Sequence, residues 1–203
     1  MGFYARYVLP RLIDLAMRNK DAARLRAEWI PKARGKVLEI GIGSGLNLPF
    51  YSSEVEQIVG VDPSPELKEM ARKRAAGTSL RVDLLLQSAE RSIPLESAGF
   101  DTAVTSWSLC SIPDASSALE EVRRILKPDG RLLFLEHGRD RDAGVAAWQD
   151  RLTPIWKRAG GGCHLNRRID ILIQNAGFRI EELRTAYLPG PRPMTYTYQG
   201  VAS

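Results

Sequence analysis

Val37-Leu38-Glu39-Ile40-Gly41-Ile42-Gly43-Ser44-Gly45 decides the fold of this chain. Val37 to Ile40 is a short apolar run of the kind that forms a buried strand. Gly41, Gly43 and Gly45 then let the backbone turn sharply and approach another group closely, because no Cβ stands in the way. Glu39 precedes the turn, where a buried bare charge is costly unless a donor or a cation meets it. A ligand with a cationic or polar end would meet that need. Two relatives of the pattern fit poorly. A phosphate-binding P-loop needs Lys followed by Ser or Thr after its last glycine, and here Leu46 and Asn47 follow. A dinucleotide fingerprint runs G-x-G-x-x-G, whereas this one is tighter by one residue.

Further signals follow in order. Ile58-Val59-Gly60-Val61-Asp62 is a second apolar run ending in an acid. Asp62 lies about twenty residues past the glycine turn, where a doubly wound sheet sets a carboxylate against a pair of ribose hydroxyls. Pro63-Ser64-Pro65-Glu66 predicts a helix start, with Ser64 as N-cap and Pro65 in the first helical position. Leu67, Met70, Ala71 and Arg74 continue it at helical spacing. Leu80 to Leu86 is strand-like and leads into Gln87-Ser88-Ala89-Glu90. Phe100 to Ser106 is a strand opened by Asp101, and Trp107-Ser108-Leu109-Cys110-Ser111 is the loop beyond it. Ala115 to Leu126 is an amphipathic helix, Lys127 to Gly130 a turn, and Arg131 to Glu136 a fifth strand. Strands alternating with helices over 203 residues predict one α/β domain with a parallel sheet covered on both faces. The right-handed crossover makes it doubly wound.

The acid-x-G-x-G-x-G stretch from Glu39 to Gly45 resembles the first motif of class I S-adenosylmethionine (SAM) methyltransferases. "LKPDGRLLFLEHG", Leu126 to Gly138, is similar to the methyltransferase type 11 group. Leu109-Cys110-Ser111, Glu136-His137-Gly138, Trp148-Gln149-Asp150, Pro154-Ile155-Trp156 and Gly162-Cys163-His164-Leu165 resemble the methyltransferase-like proteins whose mammalian members methylate alkyl thiols. The resemblance runs from Trp29 onward. It implies an α/β, Rossmann-like, doubly wound seven-stranded sheet, six strands parallel and one antiparallel, with helices on both faces. Phe178 to Leu183 and Met194 to Val201 are the candidates for the last two strands. It further implies a helical lid over residues 1–30 and a methyltransferase domain over 31–203, with SAM as cofactor and S-adenosylhomocysteine as product. The implied cofactor residues are Glu39, Gly41, Gly43, Ser44, Gly45, Asp62, Pro63, Ser88, Ala89, Glu90, Ser106 and Trp107, with Ala89 and Glu90 at the adenine amino group. Cys110, Trp148 and His164 are the candidates for the acceptor side.

The implied chemistry is attack by a nucleophile on a sulfonium methyl, which needs in-line placement and a dry pocket. An ordinary thiol is only slightly ionised at neutral pH, so a neutral His near the methyl could take its proton. His137, leaving a central strand at its C-terminal edge, is the candidate base; its alternative role is to cap the strand or to hydrogen-bond Asp101. Many enzymes of this fold use no base. Cys110, Cys163, His137 and His164 lack the spacing of a zinc site, so no metal is expected. The leading expectation is methylation of a small apolar acceptor, a thiol first. Carbon, oxygen or nitrogen methylation of a quinone-like or phospholipid acceptor is the second. The third is a SAM-binding regulatory protein without catalysis.

Two cysteines and the absence of a signal-peptide pattern make the cytoplasm the expected compartment, and Arg6 stands where a myristoylation signal after Met1-Gly2 wants Ser or Thr. Phe3, Tyr4, Tyr7, Val8, Leu12, Ile13, Leu15 and Ala16 give the N-terminal segment one apolar face, and Arg6, Arg11, Arg18, Lys20, Arg24 and Arg26 supply charge. It reads as a lid over the cofactor turn or as a basic helix resting on a membrane periphery, with Pro10 restricted to a first turn or a kink. A net charge of +5 is too diffuse for a nucleic-acid partner, and no aromatic–basic interleaving supports one.

Overall fold

The computed structural model describes residues 4–203. Met1, Gly2 and Phe3 lie outside the described residues, and with them the start of the N-terminal apolar face and the Met1-Gly2 position at which no lipidation signal is expected. A π-helical turn, Tyr4–Val8, leads into α1 (Leu9–Ala16), α2 (Lys20–Trp29), β1 (Gly35–Ile40), β2 (Val55–Asp62) and α3 (Pro65–Ala75). Then come β3 (Arg81–Leu86), β4 (Phe100–Ser106), α4 (Ala115–Ile125), β5 (Leu126–His137) and α5 (Ala143–Ala159). The chain ends with α6 (Ile169–Asn175), β6 (Ile180–Tyr187), α7 (Arg192–Thr195) and β7 (Tyr196–Ala202).

The seven strands lie in the order β3-β2-β1-β4-β5-β7-β6. β1 pairs in parallel with β2 and β4, β2 with β3, and β4 with β5, while β7 is antiparallel to both β5 and β6. Six strands therefore run one way and β7 the other, as expected. Strand order reverses beside β1, so the C-terminal tips of β1 and β4 flank a switch point where such sheets leave a crevice.

Each face of the sheet has its own apolar layer. Ala118, Leu119, Val122 and Ile125 of α4 pack with Ile169 and Ile173 of α6 on one face. Leu25, Trp29 and Ile30 pack with Val37, Ile58 and Leu133 on the other. Fully burying a Leu, Ile or Phe stabilises by about 1.5–3 kcal/mol, so these layers hold the sheet. Local signals agree with them. Asp114 caps α4 by accepting from Ser117 N at 3.1 Å. Ser64 caps α3 by accepting from Leu67 N at 3.2 Å, with Pro65 in the first position.

Three sequence expectations shift. The N-terminal segment forms two helices rather than one, because Asn19 starts α2 as a new N-cap that accepts from Ala22 N at 2.8 Å. α2 is core rather than cover, with Ala22, Leu25 and Trp29 buried. Lys127 to Gly130 belongs to β5 as an irregularity, since Leu126 pairs with Phe100 while Arg131 pairs with Thr102. Asp101, at the opposite end of the sheet from His137, takes the Lys127 ammonium at 2.5 Å and Lys36 N at 2.9 Å. Its bond to His137 is not made.

A Cβ at Gly200 in β7 would lie 2.1 Å from Glu182 O and 2.5 Å from Phe134 Cζ. Gly200→Ala should therefore lower unfolding free energy by about 1–3 kcal/mol in urea melts, the usual cost of overpacking. Gly77→Ala, whose Cβ would meet nothing nearer than Arg74 O at 3.4 Å, should stay within about 0.5 kcal/mol of the wild type.

Candidate active site

The glycine turn is shaped by close approaches. Gly41, Gly43 and Gly45 all have positive φ, at 68°, 57° and 80°. A Cβ on Gly41 would sit 2.4 Å from Ser108 Cβ, and one on Gly45 would sit 3.2 Å from Ala71 Cα of α3. A Cβ on Gly43 would meet nothing nearer than Gly41 O at 3.8 Å. Gly43 is thus the member of the turn that faces open space.

That space is a cavity of about 300 Å³ at the tips of β1, β2 and β4. Gly41 to Ser44 form its floor, Asp62 to Ser64 one wall, and Ser88 and Ala89 its far end. Ser106, Trp107, Ser111, Ile112 and Pro113 close the other side. Ile13 and Asp14 of α1, Met17 just beyond it, Arg26 of α2 and Gly161 after α5 complete the wall. Trp107 holds a positive φ of 49°, a conformation that costs a non-glycine residue roughly 1–3 kcal/mol and gathers at functional sites. Its N–H donates to Leu135 O at 2.7 Å, and the Arg26 guanidinium lies 4.8 Å from its ring centre.

Asp62 is buried and clamps the turn. Its Oδ2 accepts from Gly43 N at 3.0 Å and its Oδ1 from Ser64 N at 2.8 Å. Burial raises its pKa, and these two backbone donors partly offset the rise. Each carboxylate oxygen has a second lone pair to offer, so the residue can still receive hydroxyl donors from the cavity.

Glu39 departs from expectation. Its Oε1 accepts from Asn47 Nδ2 at 2.8 Å and its Oε2 from Tyr51 OH at 2.8 Å. The chain itself therefore meets the need that a ligand was expected to meet. Burial pushes the Glu39 carboxyl up to about 7 against the pull of Tyr51, Asn47 and Arg26. Arg26 donates from Nε to Asn47 Oδ1 at 3.0 Å and from NH1 to Met17 O at 2.8 Å, and burial lowers its pKa to about 10. Asp14 forms a second polar knot, taking Ser44 Oγ at 2.5 Å and Arg74 at 2.7 Å, with Arg18 bonded to its other oxygen. Burial works against its charge, but these three donors outweigh it and hold the carboxyl below its ordinary range.

Of the residues expected in the site, Gly41, Gly43, Ser44, Asp62, Pro63, Ser88, Ala89, Ser106 and Trp107 line the cavity. Seven others stand off its wall. Glu39 points inward to Asn47 and Tyr51, and Gly45 faces α3. Glu90 turns to Ser88 Oγ at 3.0 Å and Asp114 N at 2.5 Å, tying its loop to the start of α4. Trp148 is 55% exposed on α5, with Arg151 over its ring. Cys110 is buried behind Ser111, and His164 is bonded back to Cys110 O. His137 is 6% exposed among β5 and β7, so it has no direct line to the cavity. Sequence reasoning passed over Asp14, Arg26 and Asn47. A signal for Arg26 existed, since it shares the helical face of Ala22, Leu25 and Trp29.

Among the described residues, no group of three or more His, Cys, Asp or Glu is arranged to hold a metal ion. No described helix is long and apolar enough to cross a membrane.

A family model described as a methyltransferase domain matches residues 38–134, from β1 into β5. The chain is 33% identical over 158 residues to a Rattus norvegicus protein named thiol S-methyltransferase TMT1B, covering 76% of this chain and 64% of that protein. It is 32% identical over 164 residues to the Homo sapiens protein of the same name, covering 78% and 66%. The chain thus spans about two thirds of the length of these relatives. A crystal structure of a putative methyltransferase from Bacillus halodurans superimposes with a TM-score of 0.70 at 18% identity, over 91% of this chain and 96% of that one.

Glu39 and Glu136 both bind their proton more tightly folded than unfolded, since burial lifts each from 4.5 to about 7. Stability should therefore fall as pH rises from about 4.5 to 7, followed by urea melts at stepped pH. Glu39→Gln should flatten part of that fall; an unchanged slope would remove Glu39 from the account.

Proposed function

The chain belongs to the methyltransferase domain family, and from that premise we propose that it is a SAM-dependent methyltransferase acting on a small apolar acceptor, a thiol before others. The observation that carries the reading is the cavity floor. Gly43 presents backbone and open space where a Cβ would stand, beside the buried Asp62 carboxylate. That pairing suits a nucleoside ligand: the sugar hydroxyls donate to Asp62, and a polar tail crosses the turn without steric conflict. Ser88 and Ala89 border the end suited to a base. Arg26 and Asp14 on the opposite wall offer one cation and one anion to a zwitterionic tail.

SAM supplies an electrophilic methyl group on a sulfonium. The chain's residues bind, orient and exclude water. Trp107, Ile112 and Pro113 make an apolar approach for the acceptor, and α1 covers the tail end through Ile13 and its C-cap Met17. Among the described residues no imidazole lines the cavity, and in this reading a thiol acceptor enters already ionised. Two relatives named for thiol methylation, similar over three quarters of the chain, support sulfur as the acceptor atom. A quinone-like or phospholipid acceptor is the second reading. It is favoured by Leu12 and Leu15 of α1, exposed at 48% and 69% beside Arg11 and Arg18, an amphipathic face suited to a lipid surface. A SAM-binding protein that regulates a partner is the remaining reading, separated from both by transfer itself.

Calorimetric titration should show SAM binding to the wild type, and Gly43→Val should abolish it through added bulk and a strained φ. Asp62→Ala should weaken SAM roughly tenfold or more, as loss of charge-assisted hydrogen bonds does. Labelled SAM with a panel of alkyl thiols, a quinol and phospholipid vesicles should label the thiols. Labelling of the quinol or the lipid alone would move the acceptor, and binding without any transfer would leave the regulatory reading.

A further inference from the structure

Cys110 and Cys163 lie far apart in sequence and meet behind the cavity. Cys110 belongs to the loop after β4, and Cys163 ends the Gly160-Gly161-Gly162 turn after α5. The two backbones are tied side by side by groups other than the thiols. His164 N donates to Cys110 O at 2.7 Å, and His164 Nδ1 lies 3.1 Å from the same oxygen. Arg167 holds the loop through Leu109 O, Ile112 O and Pro113 O. Both cysteines are free, Cys110 buried and Cys163 half-buried, and the His164 N bond to Cys110 O sets the residue after Cys163 directly against Cys110.

The pair is chemically unequal. The Cys163 thiol is lowered, first by Cys110 and also by His137 and Trp156, with burial opposing. Cys110 is pushed well up by Cys163, by burial and by the Glu136 carboxylate. Arg167 also faces both sulfurs, and His164 faces Cys163. Behind them His137 has both ring nitrogens buried and without a hydrogen-bond partner. Its approach to Cys163 is close contact rather than a formed bond. Buried polar atoms normally find partners, so an orphaned imidazole beside the Cys163 thiol singles this place out.

We propose that Cys110 and Cys163 are a redox-active dithiol that takes small disulfides as substrate, Cys163 attacking and Cys110 resolving. The Cys163 thiolate attacks one sulfur of R–S–S–R, forming a mixed disulfide and expelling R–S⁻. Cys110 gives up its proton and attacks the Cys163 sulfur. The Cys110–Cys163 bond forms, the mixed disulfide breaks, and the second R–S leaves with that proton as R–SH. The two cysteines lose two electrons and the small disulfide gains them. A low-molecular-weight thiol reopens the bridge by ordinary exchange. Solvent access sets the order, since Cys163 is the more exposed. Ser111 and Gly161, neighbours of the pair, line the cavity, so the bridge fixes the spacing of two cavity walls.

The test needs no cofactor and stands apart from methyl transfer. The full chain, reduced and freed of reductant, is treated with cystamine and weighed intact. The wild type should end with no adduct and a mass lower by two hydrogens. Cys110→Ser should keep one cystamine-derived adduct, mapped to Cys163. With a chromogenic aromatic disulfide, Cys163→Ser should react roughly tenfold or more slowly than Cys110→Ser, as an unactivated buried thiol does. Two stable adducts on the wild type, or thiols still free after a denatured control has reacted fully, would overturn the proposal, and both are read on the unmodified chain.

Discussion

The structure depends on a backbone turn that three neighbours press from three sides. Ser108 closes on Gly41, α3 closes on Gly45 through Ala71, and Ile42 within the turn closes on Gly60 of β2, where a Cβ would lie 2.4 Å from Ile42 Cδ1. Side chains at any of these points would push β1, β2 and the loop after β4 apart. With glycine there, packing reaches the main chain itself and the sheet tips converge. One surface of the turn escapes this pressure, the one at Gly43, and it opens the cavity. Asp62 then fixes that surface by drawing in the Gly43 N–H. Fold and site are two sides of one steric constraint.

Buried charge is the second organising element. Glu39 and Glu136, at the tips of adjacent parts of the sheet, are pushed by burial toward neutrality around pH 7. Glu136 Oε1 accepts from Leu109 N at 3.2 Å and Ser108 N at 3.3 Å, which anchors the loop bearing Cys110. Glu39 anchors Asn47, and Asn47 anchors Arg26. Each acid positions a loop by accepting hydrogen bonds, a task a carboxyl performs in either protonation state. Asp14 is different. Three donors hold its carboxyl below the ordinary range, and it is ion-paired with Arg18 and Arg74 at the cavity wall.

The sheet was legible because its signals are local. β4 begins and ends where the apolar run Phe100 to Ser106 does, and Ser64-Pro65 marks the start of α3. Each of the last two strands begins two residues later than expected, and β6 runs on to Tyr187, because their pattern misleads. β6 carries exposed Glu181, Glu182 and Arg184, and β7 buries Thr197 and Gln199. Gln199 is held there by Trp29 Nε1 at 3.2 Å and by Arg184 at 2.8 Å, a partnership that hydropathy does not encode. In the site, the strand-tip residues could be read from their motif. The helical wall was harder: Asp14 looks like a solvent charge until the chain folds it against Ser44, whereas Arg26 is betrayed only by the apolar face it shares with Ala22, Leu25 and Trp29. Glu39 was seen to need donors, but a sequence does not tell which way Asn47 and Tyr51 point.

The burial of α2 bears on what the first thirty residues are. A lid must open without unfolding what lies beneath it, and residues drawn from the low-stability end of a structure make such lids. α1 lies over the cavity at Ile13, with its C-cap Met17 beside it and Leu12 and Leu15 in solvent. α2 is core, because Leu25 and Trp29 are buried and Arg26 is wired to Asn47. The two helices meet at Asn19, whose Nδ2 bonds Ala16 O at 2.9 Å as its Oδ1 caps α2. Arg26 bonds Met17 O across that junction, and Asp14 crosses from α1 to Ser44 and Arg74. The first helix is thereby tied to the glycine turn by polar bonds, and the second by its apolar face.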